Sequence, residues 1–202
     1  MLSAFVLALV LAVSRSTAES ATAVRGVPGN HDITKFFDQK DPSWTYKTTK
    51  RTTYLCVVDV TYNRTEHNVN YEKYSRLNNR TLMTPLRGNL KHWPMQSSTL
   101  KQPYNALDVY DEDGEKWWTE KLEYSDADSK CGVIAVMIPR NTRTIISYDL
   151  RLKNSTVDGH PDKDCSEIFE KFSVKATVTQ LYTEDCQKML KNIRNTLAHT
   201  IS

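Results

Sequence analysis

The sequence is short of several things, and each shortage closes a route. Six glycines and seven prolines in 202 residues are too few for a collagen-like chain or a flexible Gly/Ser linker. No apolar run reaches the roughly 20 residues a membrane-spanning helix needs. There is no G-x-S-x-G elbow, no phosphate-cradling glycine loop and no H-E-x-x-H, so no reaction can be assigned to named groups. The expectation is a protein that is not an enzyme. Net charge is only +3, with 27 Lys+Arg against 24 Asp+Glu and no basic stripe interleaved with aromatics, so nucleic acid is not an expected partner. Hydrophobic residues at 39% and charged residues at 25% are ordinary for a globular protein.

What is present begins at the N-terminus. Ala4 to Val13 is uninterrupted apolar sequence, followed by Ser14-Arg15-Ser16-Thr17-Ala18 with small residues at 16 and 18. This is the pattern of a signal peptide, residues 1–18, although Met1-Leu2-Ser3 carries no Lys or Arg. Cleavage after Ala18 leaves a single domain of 184 residues, 19–202, with net charge +2 once Arg15 is gone. The expected product is secreted, monomeric and without a membrane span.

Secretion gives the four cysteines a meaning. Cys56, Cys131, Cys165 and Cys186 are an even number bound for an oxidising compartment, so two disulfides are expected, with three pairings open. A metal site is not expected, because no two cysteines lie closer than 21 residues and the histidines show no ligand spacing. Asn63, Asn79 and Asn154 each begin a sequon without proline in the middle, and are candidate N-glycosylation sites.

The middle of the chain has the texture of β-structure. Asp32 to Phe37 suggests a short helix capped by Asp32. Eight aromatic and β-branched runs then follow: 44–49, 54–62, 68–76, 80–88, 105–111, 115–124, 131–138 and 143–152. Asp113-Gly114 between two of them is a strong hairpin signal. Residues 89–104, with Pro94 and Pro103, suggest an irregular loop. Beyond the eighth run, residues 164–172 read as a helix, 174–182 as a ninth strand, and 183 onwards as a helix with Met189, Leu190, Ile193 and Leu197 apolar. An all-β chain with short connections favours an eight-stranded antiparallel up-and-down barrel, wide enough for one small ligand.

Particular strings then resemble a known family. Asp32-Ile33, Phe36-Phe37 and Trp44 lead into Cys56-Val57-Val58-Asp59. Cys131-Gly132-Val133-Ile134 is followed by Tyr148-Asp149-Leu150-Arg151-Leu152-Lys153-Asn154-Ser155, then Cys165 and Cys186. Together they resemble the tick salivary lipocalins over nearly the whole mature chain, and among them the japanin-like branch. The Gly-x-Trp kernel of ordinary lipocalins is missing, since Ser43-Trp44 follows Pro42.

The resemblance implies pairing of Cys56 with Cys186 and of Cys131 with Cys165. An up-and-down barrel is compatible with it, since Cys56 and Cys131 would start strands at opposite ends, and a disulfide needs Cα atoms within about 7 Å. The resemblance also implies a barrel ligand. In amine-binding members an Asp follows the second Cys and a Glu-Leu-aromatic lies on the next strand. Here those places hold Gly132 and Asp149-Leu150-Arg151. Asp149 and Arg151 share a strand face, so the cation is expected to neutralise the acid, with no second acid opposite. That argues against histamine or serotonin.

The expected cavity wall is Ile134, Val136, Ile145 and Ser147 beside Gly132, Asp149 and Arg151, with Val58, Val60, Trp117 and Trp118 as further candidates. Such a wall suits a small hydrophobic ligand, a sterol or lipid. The japanin-like resemblance implies cholesterol, and an action on host immune cells that suppresses dendritic-cell maturation. The alternative is a scavenger of leukotriene, fatty acid or biogenic amine.

Overall fold

A computed structural model describes residues 31–94, 102–158 and 160–200, with side chains as far as 196. The signal-peptide reading and Leu197 lie outside the described residues and side chains.

Eight antiparallel strands run in chain order around a closed barrel: β1 (Ser43–Thr48), β2 (Leu55–Arg64), β3 (Asn68–Leu77), β4 (Arg80–Lys91), β5 (Ala106–Tyr110), β6 (Lys116–Ser125), β7 (Cys131–Arg140) and β8 (Arg143–Lys153). β1 closes it by pairing with both β2 and β8. The fold is lipocalin-like. The short helix of the sequence reading is a 3-10 turn, Ile33–Phe36, capped by the Asp32 carboxylate on the Thr34 amide. The hairpin at Gly114 forms, with that residue at φ +82°.

Two expectations need revision. Strand β4 runs on to Lys91, into the segment expected to be an irregular loop. The ninth strand shrinks to Thr179–Gln180 (β9), hydrogen-bonded to the end of β1. The reason lies in the turn after α1 (Lys163–Phe172): Ser173 closes the helix, and Lys175 adopts a left-handed φ of +65°, which strand geometry excludes. A second helix, α2 (Cys186–Thr200), follows.

Strand alternation sorts the apolar residues into two cores. Inside the barrel, Val69, Tyr71, Leu86, Leu107, Val109, Leu122 and Ile134 meet Ile33, Phe36 and Phe37 of the 3-10 turn, which plugs one end. Outside, Val58, Tyr74, Val133, Leu150 and Leu152 pack beneath Ile168 and Phe169 of α1 and Met189, Leu190 and Ile193 of α2. Disulfides tie the helices to the wall at opposite ends: Cys56–Cys186 at the start of β2, and Cys131–Cys165 at the start of β7.

Candidate functional site

The open end of the barrel leads to a cavity of about 220 Å³. Its upper wall is Tyr54, Val57, Trp117, Val136 and Ile138, with Thr45, Thr48, Thr52, Ser75 and Ser147 supplying hydroxyls. Below them Lys73, Glu120, Asp149 and Arg151 reach into the same space.

These charges form one network. Arg151, at 1% exposure, sits at the centre. Its Nη2 donates to Glu120 Oε1 at 2.8 Å and lies 3.5 Å from Asp149 Oδ2; its Nη1 donates to Asp59 Oδ2 at 3.2 Å. Lys73 holds the other Asp59 oxygen. Trp118 Nε1 donates to Glu120 Oε1 at 2.9 Å, and Thr48 Oγ1 donates to Asp149 Oδ1 at 2.6 Å. Three carboxylates therefore face two cations, an excess of one negative charge when all are ionised. Three buried polar atoms of this layer have no protein partner among the described residues: Glu120 Oε2, Arg151 Nε and the Tyr71 hydroxyl. Native proteins fill such positions with water or with a ligand group.

The carboxylates are not equivalent. Burial pushes Asp149 above the usual carboxylate range, only partly offset by Arg151 and the Thr48 hydrogen bond. Burial pushes Glu120 the same way, but Arg151, Lys73 and two hydrogen bonds outweigh it and hold the group below its ordinary value. Arg151 stays charged: burial disfavours its cation, and the three acids more than compensate.

Of the residues named from sequence, Trp117, Trp118, Val136, Ser147, Asp149 and Arg151 line the cavity. The others do not. Val58 and Val60 face outward against the helix-covered core, because β2 turns Val57 and Asp59 inward instead. Ile134 lies in the inner core among the plug residues. Ile145 stands at the lip, 40% exposed. Gly132 is at the plugged end, where an added Cβ would come within 2.5 Å of Phe36 Cζ. Gly132→Ala should therefore cost about 1–3 kcal/mol by overpacking. Urea unfolding would check this, and a neutral result would mean the plug shifts freely.

The larger correction concerns charge. Asp149 does have further acids beside it, Glu120 and Asp59. Sequence reasoning missed both, Asp59 because it is a single acid inside an apolar run and Glu120 because it stands among other charges, Lys116, Lys121 and Glu123, that read as a solvated face. The signal available was parity: Glu120 lies two residues beyond Trp118, and so shares its face.

A family model for the tick histamine-binding protein matches residues 29–188. The chain belongs to the tick histamine-binding protein family. No curated protein sequence matches it. Among solved structures, a serotonin complex of AM182 superposes with a TM-score of 0.57 at 15% identity, covering 78% of this chain and 94% of that one. The siderocalin Ex-FABP, which functions through dual ligand specificities, gives a TM-score of 0.51 at 13% identity, covering 71% and 93%. At such identities the two share the lipocalin fold with this tick histamine-binding family member. Membership makes the protein a ligand-binding lipocalin, and its barrel is held by two disulfides.

The sequons fall in different settings. Asn63 and Asn79 are exposed. Asn154 is half-buried, and its side-chain oxygen accepts from Trp44 Nε1 and Gln187 Nε2, both at 2.9 Å. No helix among the described residues is long and apolar enough to cross a membrane.

Proposed function

We propose that the protein is a secreted scavenger that takes a small aromatic or heterocyclic amine into its barrel. The observation that carries this is the excess carboxylate. A cation entering the cavity meets Asp149 and the unpaired Glu120 Oε2, and supplies the missing positive charge. The wall of Trp117, Trp118 and Val136 suits a flat ring. Family membership and the serotonin complex of AM182 agree with this chemistry. The N-terminal signal pattern and the disulfides support secretion.

Size and charge rank the other candidates. A leukotriene or fatty acid brings a carboxylate into a site already net negative. The cavity is smaller than the roughly 300–1,000 Å³ common for drug-sized ligands, so a four-ring sterol requires the lip to open. A cholesterol carrier acting on host dendritic cells remains the second reading. The japanin-like resemblance supports it, as does the apolar upper wall of Tyr54, Val57 and Ile138.

Calorimetric titration of the secreted protein with serotonin and histamine tests the proposal, with native mass spectrometry for any co-purified sterol. Binding of either amine at micromolar concentration or below is expected. Asp149→Asn should weaken it by about 30-fold, a loss of about 2 kcal/mol. Affinity should also fall as pH drops through the raised Asp149 value, because the protonated acid no longer pairs with an ammonium. Asp149→Asn should flatten that profile. A sterol-filled barrel indifferent to both amines would sink the proposal in favour of the second reading.

A further inference from the structure

One side of the open rim has a composition unlike the rest of the surface. It is built from the connection between β1 and β2, the turn between β7 and β8 with the start of β8, and residues 173–180, which run from the end of α1 through β9. The three are contiguous. Thr49 N donates to Tyr148 O, Tyr148 stacks on Phe172 at 4.9 Å, Cys56 N donates to Leu181 O, and β9 pairs with β1. Of the eleven large apolar residues exposed among the described residues, six stand here: Tyr54, Leu55, Ile145, Ile146, Val174 and Val178. Val174, at 67%, and Ile146, at 52%, protrude most.

The charge on this face is of one sign. Lys50, Arg51, Arg140, Arg143 and Lys175 lie on it, all exposed. None has an ion-pair partner among the described residues. The three segments contain no Asp or Glu. Arg140 and Arg143 are directly opposite each other across the hairpin end. Like charges in that position repel, so the pair gains from an anionic partner. The opposite side of the rim differs: the β5–β6 turn is Asp111-Glu112-Asp113-Gly114-Glu115. Of the exposed sequons, Asn63 lies near the far end of β2, while Asn79, on the β3–β4 turn, stands at the open end beside the β2 edge of this face, three residues beyond Arg76, the partner of Leu55.

We propose that this face docks the barrel, mouth first, on an anionic phospholipid bilayer. Aliphatic tips carried on three separate segments suit a surface that asks for depth and not for a matching shape. Ile145, Ile146 and Val174 would enter the headgroup boundary while the arginines and lysines stay at phosphate level. Lys50 and Tyr54 also line the cavity, so the mouth would open toward the lipid. The inference does not depend on what the barrel holds.

Vesicle flotation tests it. The protein should be the form secreted by eukaryotic cells with its N-terminus sequenced, since the Ala4–Val13 run would itself partition into lipid. At physiological salt it should float with vesicles of phosphatidylcholine plus phosphatidylserine, and not with phosphatidylcholine alone. Arg140→Gln with Arg143→Gln should weaken partitioning about 30-fold. Ile146→Ser with Val174→Ser should weaken it at least about tenfold. All four side chains are exposed, so thermal stability and ligand titrations should be unchanged, which separates lost docking from misfolding. Equal flotation with both vesicle types, or insensitivity to both double substitutions, would overturn the proposal. So would a wild-type dimer in size exclusion that Ile146→Ser dissolves without any vesicle binding; the face would then join copies of the protein.

Discussion

Arg151→Leu is expected to lower stability by about 3–5 kcal/mol at pH 7, because removing one partner of a buried ionic network leaves the others uncompensated. Here the residue removed is, among the described residues, the one that pairs with all three carboxylates; Lys73 pairs with Asp59. The loss should depend on pH in a defined direction. Without the guanidinium, burial raises Glu120 and Asp149 in the folded state well above their unfolded values. A carboxyl raised in the folded state binds more protons there, so stability falls as pH rises from the unfolded value of about 4 through the folded one. The deficit should be largest at neutral pH and shrink toward about pH 4. Urea unfolding of both proteins across that range measures it. A deficit below about 1 kcal/mol, or one independent of pH, would show that Arg151 is replaceable packing and not the centre of the network.

Removing the Cys56–Cys186 bridge as a Cys56→Ala, Cys186→Ala pair should be comparably severe. The bridge closes a span of 130 residues, which in the chain-entropy description is worth about 5 kcal/mol. Cys131–Cys165 closes only 34, worth about 4 kcal/mol on the same basis. The first pair of substitutions should therefore lower the melting temperature more than a Cys131→Ala, Cys165→Ala pair. It should also free the start of α2, whose Met189, Leu190 and Ile193 form part of the outer core. Limited proteolysis provides the second readout, with early cleavage after Lys188 or Lys191 in the first variant alone. Equal melting temperatures and identical digestion would mean that apolar packing, without the bridge, holds the helix.

Much of the barrel could be read from residues. The eight runs match eight strands because turn residues such as Asp113-Gly114 and Asn141-Thr142 interrupt apolar stretches at short spacing. Which face points inward was harder. On β2, Val57, Val58, Asp59 and Val60 carry no polar-outside alternation, because α2 and its neighbours cover the outer face. A wall buried on both sides hides its own orientation. Val58 therefore reads as readily inside as outside, and Asp59 gives no sign in the sequence that it faces the cavity. On β7 and β8 the family likeness supplied the parity, and Val136, Ser147, Asp149 and Arg151 do face the cavity. Gly132 keeps that parity yet lies too deep, since strand alternation sets the face and not the height. The partner of Arg151 was misjudged for a related reason: Glu120 lies 31 residues away, across β7, and Asp59 lies 92 residues away, on a strand that only barrel closure brings near.

The barrel wall has one further consequence. Its two faces serve different masters: even-numbered positions of β7 meet the guest or the plug, while Val133 on the opposite face meets the helices. Each strand thus carries two interleaved messages, one concerning the cavity and one concerning the scaffold, and at Arg151 the two are coupled, because the cavity floor is itself a buried ionic network. A lineage built on such a wall can exchange an aromatic for an arginine at position 151 and keep every outward-facing letter. Such an exchange leaves the outer core untouched but has to be matched by acids inside the barrel, as Asp59 and Glu120 match Arg151 here.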